Sequence, residues 1–250
     1  MEQDVVSLVT EWLQKSSKIV ILTGNDLGSD TGIPDFTDAR LNPNIRDFRE
    51  NPGVRESYWA KIRDLYPGLA DSKPGEAHLA LAELELICNV DCILTLSTDG
   101  LQTRAGSGSV IELCGTMHWV TCTSCGKDFR MEDILKSLSE EIKIPTCEVC
   151  GKDLLKPPIS FPGQPLPHWE LREAWMRLHS CDLFIIAGAE LDNSPFSSLQ
   201  TLASQNGAKI VIINSKESEA DNFADAILYG DPALILPHFV KKIKSGLKVS

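Results

Sequence analysis

Residues 18–36 read KIVILTGNDLGSDTGIPDF, a β-branched apolar run followed at once by a glycine-bearing turn. In Rossmann-like folds, a strand of this kind ends in a turn that presents backbone N–H groups to a phosphate. This turn also carries Asp26, and a carboxylate repels a phosphate. The stretch therefore predicts the first strand of a nucleotide-binding sheet, and it leaves open whether the turn still holds a phosphate.

Predicted helices and strands alternate along the rest of the chain. Apolar residues recur at helical spacing from Val5 to Leu13. We predict further helices near 78–87, 169–178 and 196–205 and from 231 onward, and strands at 18–22, 92–96, 110–113, 183–187, 209–213 and 226–229. Such alternation predicts an α/β fold with a parallel, doubly wound, Rossmann-like sheet that has helices on both faces.

Two segments interrupt this alternation. Residues 37–73 are polar and contain three prolines, and residues 121–154 hold two cysteine pairs around a short helical piece at 131–138. We therefore predict a large Rossmann-like domain formed by 1–36, 74–120 and 155–250, and a small domain formed by a helical excursion at 37–73 and a zinc module at 121–154.

Composition excludes several classes of function. The 250-residue chain has a net charge of −11, and this charge disfavours general binding to nucleic acids or anionic membranes. No apolar run approaches the roughly 20 residues that span a bilayer, and the N-terminal MEQDVV lacks the features of a signal peptide. We expect a cytoplasmic protein that uses neither nucleic acid nor membrane.

Four of the eight cysteines form two C-x-x-C-G-K knuckles, which contain Cys122, Cys125, Cys147 and Cys150. The glycine after each pair permits the tight turn that lets two thiolates share one metal ion. Two surface disulfides are the alternative, and a reducing compartment disfavours them. The spacing predicts a tetrahedral zinc site with four protein ligands, which is structural because it has no open position for chemistry.

Several ordered segments together resemble the sirtuins, the NAD-dependent protein deacylases. They are TG and TGIPDF within 23–36, KPGEAHLALAELE at 73–85, TDGLQTRAGS at 98–107, IELCG at 111–115, the four cysteines, LLKPPISFPGQPLP at 154–167, GAELDNSP at 188–195 and IIN at 212–214. The resemblance implies a Rossmann-like domain, a small zinc-bearing domain, and a cleft between them for NAD and an acyl-lysine peptide. It places the remnant of the cofactor site at Gly24, Asn25, Asp26, Asp35, Phe36, Asp99, Gly188, Glu190 and Asn214.

The chain departs from the sirtuin pattern at the positions that would surround the cofactor phosphates. Asp26 replaces the second glycine of the family's GAGIS turn, Thr37 replaces an arginine, and Glu190 replaces a serine. We expect the two acids to repel the diphosphate, so NAD binding is doubtful. Asn214 keeps the identity of the family residue that holds the adenine ribose.

The departures extend to the catalytic and peptide-binding positions. Cys114 stands where sirtuins have the histidine that acts as general base, and Ser97 stands where they have the asparagine that organises the reacting ribose. A thiol is a poor proton acceptor near neutral pH, and His118 lies too far along the chain to replace the imidazole. Pro162 and Gln164 replace the phenylalanine and glutamate of the peptide-binding element, which makes a peptide substrate doubtful.

From these departures we predict a sirtuin-fold zinc protein without deacylase activity and with no catalytic residues. It would act as a binding or regulatory component with a protein partner. Two alternatives remain open: a divergent NAD-dependent deacylase or ADP-ribosyl transferase, and a sensor that binds another small molecule in the altered cleft.

Overall fold

The computed structural model describes residues 2–191 and 195–247, so residues 192–194 of the GAELDNSP segment lie outside the described residues. The helices are α1 (Glu2–Lys15), α2 (Ile45–Glu50), α3 (Pro52–Asp71), α4 (Glu76–Ile87), α5 (Leu101–Arg104), α6 (Met131–Ser137), α7 (His168–Leu178), α8 (Ser197–Gln205) and α9 (Pro232–Leu247). The strands are β1 (Ile19–Thr23), β2 (Val90–Thr95), β3 (Val110–Glu112), β4 (Trp119–Cys122), β5 (Asp128–Arg130), β6 (Leu155–Lys156), β7 (Leu183–Ala187), β8 (Lys209–Asn214) and β9 (Ala226–Tyr229).

Six strands form one parallel sheet in the order β3-β2-β1-β7-β8-β9. The chain moves outward from β1 to β3 on one side of the sheet and from β7 to β9 on the other. The loops that follow β1 and β7 therefore leave the sheet in opposite directions and open a crevice at its carboxyl edge. The predicted Rossmann-like fold is confirmed, and this crevice is where such folds bind their ligands.

Period-two alternation in β1 supplies both faces of the large core. Ile19 and Ile21 pack into a cluster with α4 and α9, whereas Val20 and Leu22 pack on the opposite face with α7 and α8. All four side chains are fully buried, because helices cover both faces of the sheet. The carboxyl end of β1, where the glycine turn begins, therefore lies in a close-packed part of the core.

A second, antiparallel sheet has the order β5-β4-β6 and packs beside α3. The helical excursion that we predicted at 37–73 contains the 20-residue α3, although a polar surface and the internal Pro67 hide the bounds of this helix in the sequence. Its buried face contributes Tyr58 and Trp59 to a third core cluster. Ile159 and Phe161, which we predicted to lie in the large domain, pack in the same cluster.

None of the helices in the described ranges has the length and apolar character needed to cross a membrane.

Candidate active site and metal centre

The four knuckle thiols lie close together at the end of the small sheet. The Sγ atoms of Cys122 and Cys150 are 3.6 Å apart, those of Cys125 and Cys147 are 3.7 Å apart, and all four lie within 4.8 Å of one another. A tetrahedral ion with Zn–S bonds of about 2.3 Å requires edges of about 3.8 Å, so the spacing fits such an ion. The structure therefore contains a possible zinc site, and none of the eight cysteines is in a disulfide.

The two knuckle turns are shaped by glycines in the left-handed region. Gly126 has φ of 75° and Gly151 has φ of 71°, and each donates its N–H to the carbonyl of the first cysteine of its knuckle at 2.8 Å. A side chain at these positions would strain the backbone. The repeated C-x-x-C-G pattern thus produces two turns with the same hydrogen bond and a similar glycine conformation.

Two glycines bring the loops after β1 and β7 into contact at the crevice. A Cβ atom added to Gly24 would lie 2.2 Å from the carbonyl oxygen of Gly188. Gly188 has φ of 62°, and a Cβ there would lie 2.7 Å from the backbone nitrogen of Leu27. Both positions therefore require glycine for backbone contact between the loops, and this contact sets the floor of the crevice.

The turn after β1 is also tied to the end of β2. The Ser97 hydroxyl donates to Asn25 Oδ1 at 3.1 Å, so two of the predicted site positions contact each other. Asp26 is exposed, and its backbone N–H donates to the Gly188 carbonyl at 3.1 Å. The Asp26 backbone thus belongs to the contact between the loops, while the residue itself is open to solvent, which weakens its repulsion of a bound anion.

Asn214, at the end of β8, locks the backbone after β7. Its side chain accepts from the Ala189 N–H at 3.1 Å and donates to the Ala189 carbonyl at 2.9 Å. The next residue, Glu190, is exposed and forms an ion pair with Lys216, with Oε1 and Nζ 2.5 Å apart. The acid that we expected to face the cofactor alone is therefore neutralised by a lysine.

Cys114, which the resemblance places at the general-base position, is buried, and its thiol is a weak acid. Burial raises the pKa of Cys114 to about 12, and the nearby Asp35 carboxylate acts in the same direction. The thiol is thus protonated at neutral pH and cannot serve as a general base. His118 Nε2 lies 2.8 Å from the Asp99 carbonyl oxygen and is directed at the start of α5.

Asp35, Phe36 and Asp99 complete the predicted set. Asp35 Oδ1 accepts from the backbone N–H and the hydroxyl of Thr37, so these two residues form a local turn. Phe36 is buried in the third core cluster, and Asp99 Oδ1 accepts from the Leu101 N–H at 2.8 Å. Phe36 and Asp99 therefore have clear structural contacts at the two sides of the cleft.

The loop at 157–164 lies between the small sheet and the Cys114 segment. The Pro162 carbonyl accepts from the Ile45 N–H at 3.0 Å, and Gln164 Oε1 accepts from the Phe161 N–H at 3.1 Å. A Cβ on Gly115 would lie 2.1 Å from the Pro158 carbonyl oxygen, so the loop passes directly over the residue after Cys114. The proline and glutamine that we read as losses both take part in holding this loop.

Comparisons with known proteins decide the family. The model of the Sir2 family matches residues 25–195. The chain belongs to the Sir2 family. It is 35% identical to an NAD-dependent protein deacetylase of Thermodesulfovibrio yellowstonii, with 96% of each chain covered, and 34% identical to NAD-dependent protein deacetylase 1 of Pyrobaculum aerophilum, with 98% and 97% covered. A solved structure of Sir2 bound to acetylated peptide matches with a TM-score of 0.85 and 30% identity, covering 98% of this chain and 99% of that chain.

These relatives overturn the prediction of a sirtuin-fold protein that has lost its activity. Sir2 relatives similar over nearly the full length are named as NAD-dependent deacetylases and deacylases, so the prediction of a non-enzymatic regulatory component is wrong. The doubt about NAD is likewise unsupported. The physical error was to treat each substituted side chain as directed into the cleft and unpaired, whereas Asp26 is exposed and Glu190 is bonded to Lys216.

The sequence interpretation also missed two lysines. Lys216 lies two residues after Asn214, and parallel strand order places the ends of β7 and β8 side by side, so its proximity to Glu190 was open to inference. Lys156 is buried within an apolar strand that precedes two prolines. Its position between the apolar residues Leu155 and Pro157 could have indicated a buried lysine.

Proposed function

We propose that this Sir2-family protein is an NAD-dependent protein deacylase. The observation that carries the proposal is the 35% identity, over 96% of both chains, to a relative named as an NAD-dependent protein deacetylase. Similarity of this extent covers the sheet, the cysteine pairs and the cleft together. A fold alone would not justify the activity, since one fold supports many functions.

The residues at the crevice fit a dinucleotide. The glycines Gly24 and Gly188 let the backbones of the loops after β1 and β7 meet at the crevice. Asn214 fixes the Ala189 backbone, and Lys216 adds a cation at the rim beside Glu190. The loops that carry Gly24, Gly188 and Asn214 would hold NAD, which when bound accepts the acyl group and releases nicotinamide.

The chain's own contribution to proton transfer is weak at the position where other family members have histidine. Cys114 stays protonated, so it can donate a weak hydrogen bond and cannot remove a proton from a ribose hydroxyl at neutral pH. General-base catalysis typically contributes about 10²–10⁴ in rate. We therefore propose a slow enzyme whose catalysis depends mainly on binding and orientation.

The substrate side of the proposal rests on the loop at 157–164. This loop corresponds to the element with which sirtuins pair an extended acyl-lysine peptide, and solved structures of acetylated and propionylated peptide complexes match this chain at TM-scores of 0.85 and 0.84. The chain keeps this loop ordered through contacts to Ile45 and within the loop itself. An acyl-lysine peptide is the proposed substrate.

The metal of the proposal is zinc. Four thiolates at tetrahedral spacing suit zinc, and the shell that they form is closed. The ion would stabilise the small sheet and take no part in chemistry.

The function is tested by incubating the purified protein with NAD and acetyl-lysine or longer acyl-lysine peptides. Mass spectrometry should find deacylated peptide and nicotinamide in equal amounts. Omission of NAD should abolish both products. Absence of both products at enzyme concentrations near that of the peptide would contradict the proposal.

A further inference from the structure

Lys156 carries a buried amine outside the cofactor crevice. It is the second residue of β6, it pairs with Thr121 of β4, and only 4% of its surface is exposed. Its Nζ donates to the Pro157 carbonyl at 2.7 Å and to the Ile159 carbonyl at 2.6 Å. The same atom lies 4.3 Å from the centre of the Phe161 ring. One amine thus binds three successive parts of the loop.

The surroundings of Lys156 disfavour a positive charge on its amine. Across residues 2–191 and 195–247, no carboxylate forms an ion pair with Lys156. Burial lowers the pKa of Lys156 to about 7, and the positive charge of Arg49 acts in the same direction. An apolar side chain at this position would avoid that desolvation cost. The lysine therefore has a benefit in the loop that outweighs its poor contribution to packing.

One side of the 157–164 loop is open. A cavity of about 630 Å³ lies between the loop and the large domain, and its lining includes Ile159, Glu112 and Glu170. Close packing normally fixes a loop of this kind, but a cavity leaves its lining without partner atoms on one side. The side chains of Ile159 and Phe161 pack in the third core cluster, and the hydrogen bonds from Lys156, with the anchor between Ile45 and Pro162, hold the loop backbone on its open side.

The path of the loop matters for the reaction because the loop passes over Gly115. That glycine lets the Pro158 carbonyl approach the backbone next to Cys114. The two carbonyls that Lys156 binds lie on either side of Pro158 in the chain. A shift of the loop would thus move the peptide-binding element relative to the position where the acyl group must react.

We infer that Lys156 is a positioning residue for the acyl-lysine substrate: its two hydrogen bonds hold the 157–164 loop in the conformation that receives the peptide. The inference rests on the proposed deacylase function. It assigns no contact between Lys156 and the substrate, so the residue acts only through the loop.

Two variants and one control separate positioning from general stabilisation. Lys156→Met removes the donors and keeps the side-chain length, whereas Lys156→Arg keeps the donors. Lys136→Met, at an exposed residue of α6, controls for loss of a lysine. The readouts are KM for the acyl peptide, KM for NAD, and amide exchange of Phe161, Gln164 and Ile45, whose N–H groups donate within or to the loop.

The Met variant should raise KM for the peptide about tenfold or more, because two buried hydrogen bonds to loop carbonyls are lost, and KM for NAD should change less than about twofold. Exchange at the three amides should accelerate about tenfold or more while exchange in β1 and β7 stays constant. Lys156→Arg, which keeps the donors, should show KM for the peptide and amide exchange close to those of the unaltered protein. If the Met variant fails to fold, Lys156→Gln takes its place. It should change KM for the peptide and exchange of the loop amides in the same direction, by a smaller factor.

Unchanged exchange at the loop amides would overturn the inference, as would equal acceleration in β1 and β7 or failure of the folded Arg variant to rescue. The exchange measurement needs no turnover. If the unaltered protein does not deacylate peptides, the proposed function fails, while the loop exchange still reports whether Lys156 holds the loop.

Discussion

The carboxylate of Glu190 and the ammonium group of Lys216 are 2.5 Å apart at the rim of the crevice, where the ends of β7 and β8 meet. The pair joins an acid that replaces a small hydroxyl residue of the family to a lysine two residues after Asn214. An exposed pair of this kind adds little to folding stability. The pair has a local effect: the rim beside the proposed cofactor site carries no net charge from these two residues.

Removing the lysine should expose the repulsion that the pair cancels. A carboxylate about 5 Å from a phosphate costs up to about 3 kcal/mol at an effective dielectric of about 20. We expect Lys216→Met to weaken NAD binding by about 10- to 100-fold, measured by calorimetry, and added Glu190→Gln to recover most of the loss.

The matched control for this experiment is Lys209→Met, at the opposite end of β8, where the lysine faces Asp225. It should leave NAD affinity within about twofold. Equal affinities of the Lys216→Met variant and the unaltered protein would show that Glu190 does not act on the cofactor.

Replacement of the thiol at the base position should accelerate the reaction. Cys114 is protonated at neutral pH, whereas an imidazole accepts a proton there. We expect Cys114→His to raise kcat by about 10- to 100-fold, with little change in KM for the peptide. Cys114→Asn, which offers a side chain of intermediate size without a base, should give no gain. A gain of the same size in the Asn variant would point to packing instead of proton transfer.

Stability should depend on pH through Glu112. Burial raises the pKa of Glu112 to about 7. The Asp99 and Glu170 carboxylates raise this pKa further, and a hydrogen bond from Thr116 lowers it. The unfolded value is about 4.3, so between these pH values the folded protein binds more protons, and the contribution of Glu112 to stability falls as pH rises.

Glu112→Gln removes this titration. The free energy of unfolding of the variant, relative to the unaltered protein, should therefore rise by about 1–3 kcal/mol from pH 5 to pH 8 and then level off. Urea unfolding at four pH values measures the difference, with exposed Glu11→Gln as the control. A difference that is flat or falls with pH would mean that Glu112 is ionised throughout the range.

The metal centre should stabilise the small sheet directly. We expect one zinc per chain, and chelation should lower the unfolding temperature and accelerate amide exchange in β4 and β6 more than in β1 and β7. Protein that contains no zinc while all four knuckle thiols react with a thiol reagent would rule out the assignment.

Sequence reasoning predicted the parallel sheet and the cysteine site, because both depend on local patterns. The apolar run at 18–22 and the repeated C-x-x-C-G spacing determine their structures over a few residues. It predicted a helical excursion at 37–73 without the bounds of α3, whose polar face and Pro67 obscure the period. It missed the β4-β5-β6 sheet, whose strands have two to four residues.

The misjudged part of the site depends on contacts between distant segments. We interpreted Glu190 as an unpaired acid because its partner, Lys216, lies in the segment that follows the neighbouring strand β8. Pro162 read as a lost donor, although its carbonyl receives the Ile45 N–H from α2. Such pairings follow from tertiary structure, and residue type alone does not reveal them.

The most direct test of the central claim is a single-turnover measurement with the unaltered protein in excess over an acetyl-lysine peptide, in the presence of NAD. Mass spectrometry and nicotinamide quantification should follow the same sample. We expect deacylated peptide and nicotinamide to form together in a one-to-one ratio, slowly, and faster with Cys114→His. Absence of both products from either protein, with no calorimetric signal for NAD, would contradict the assignment of NAD-dependent deacylase activity.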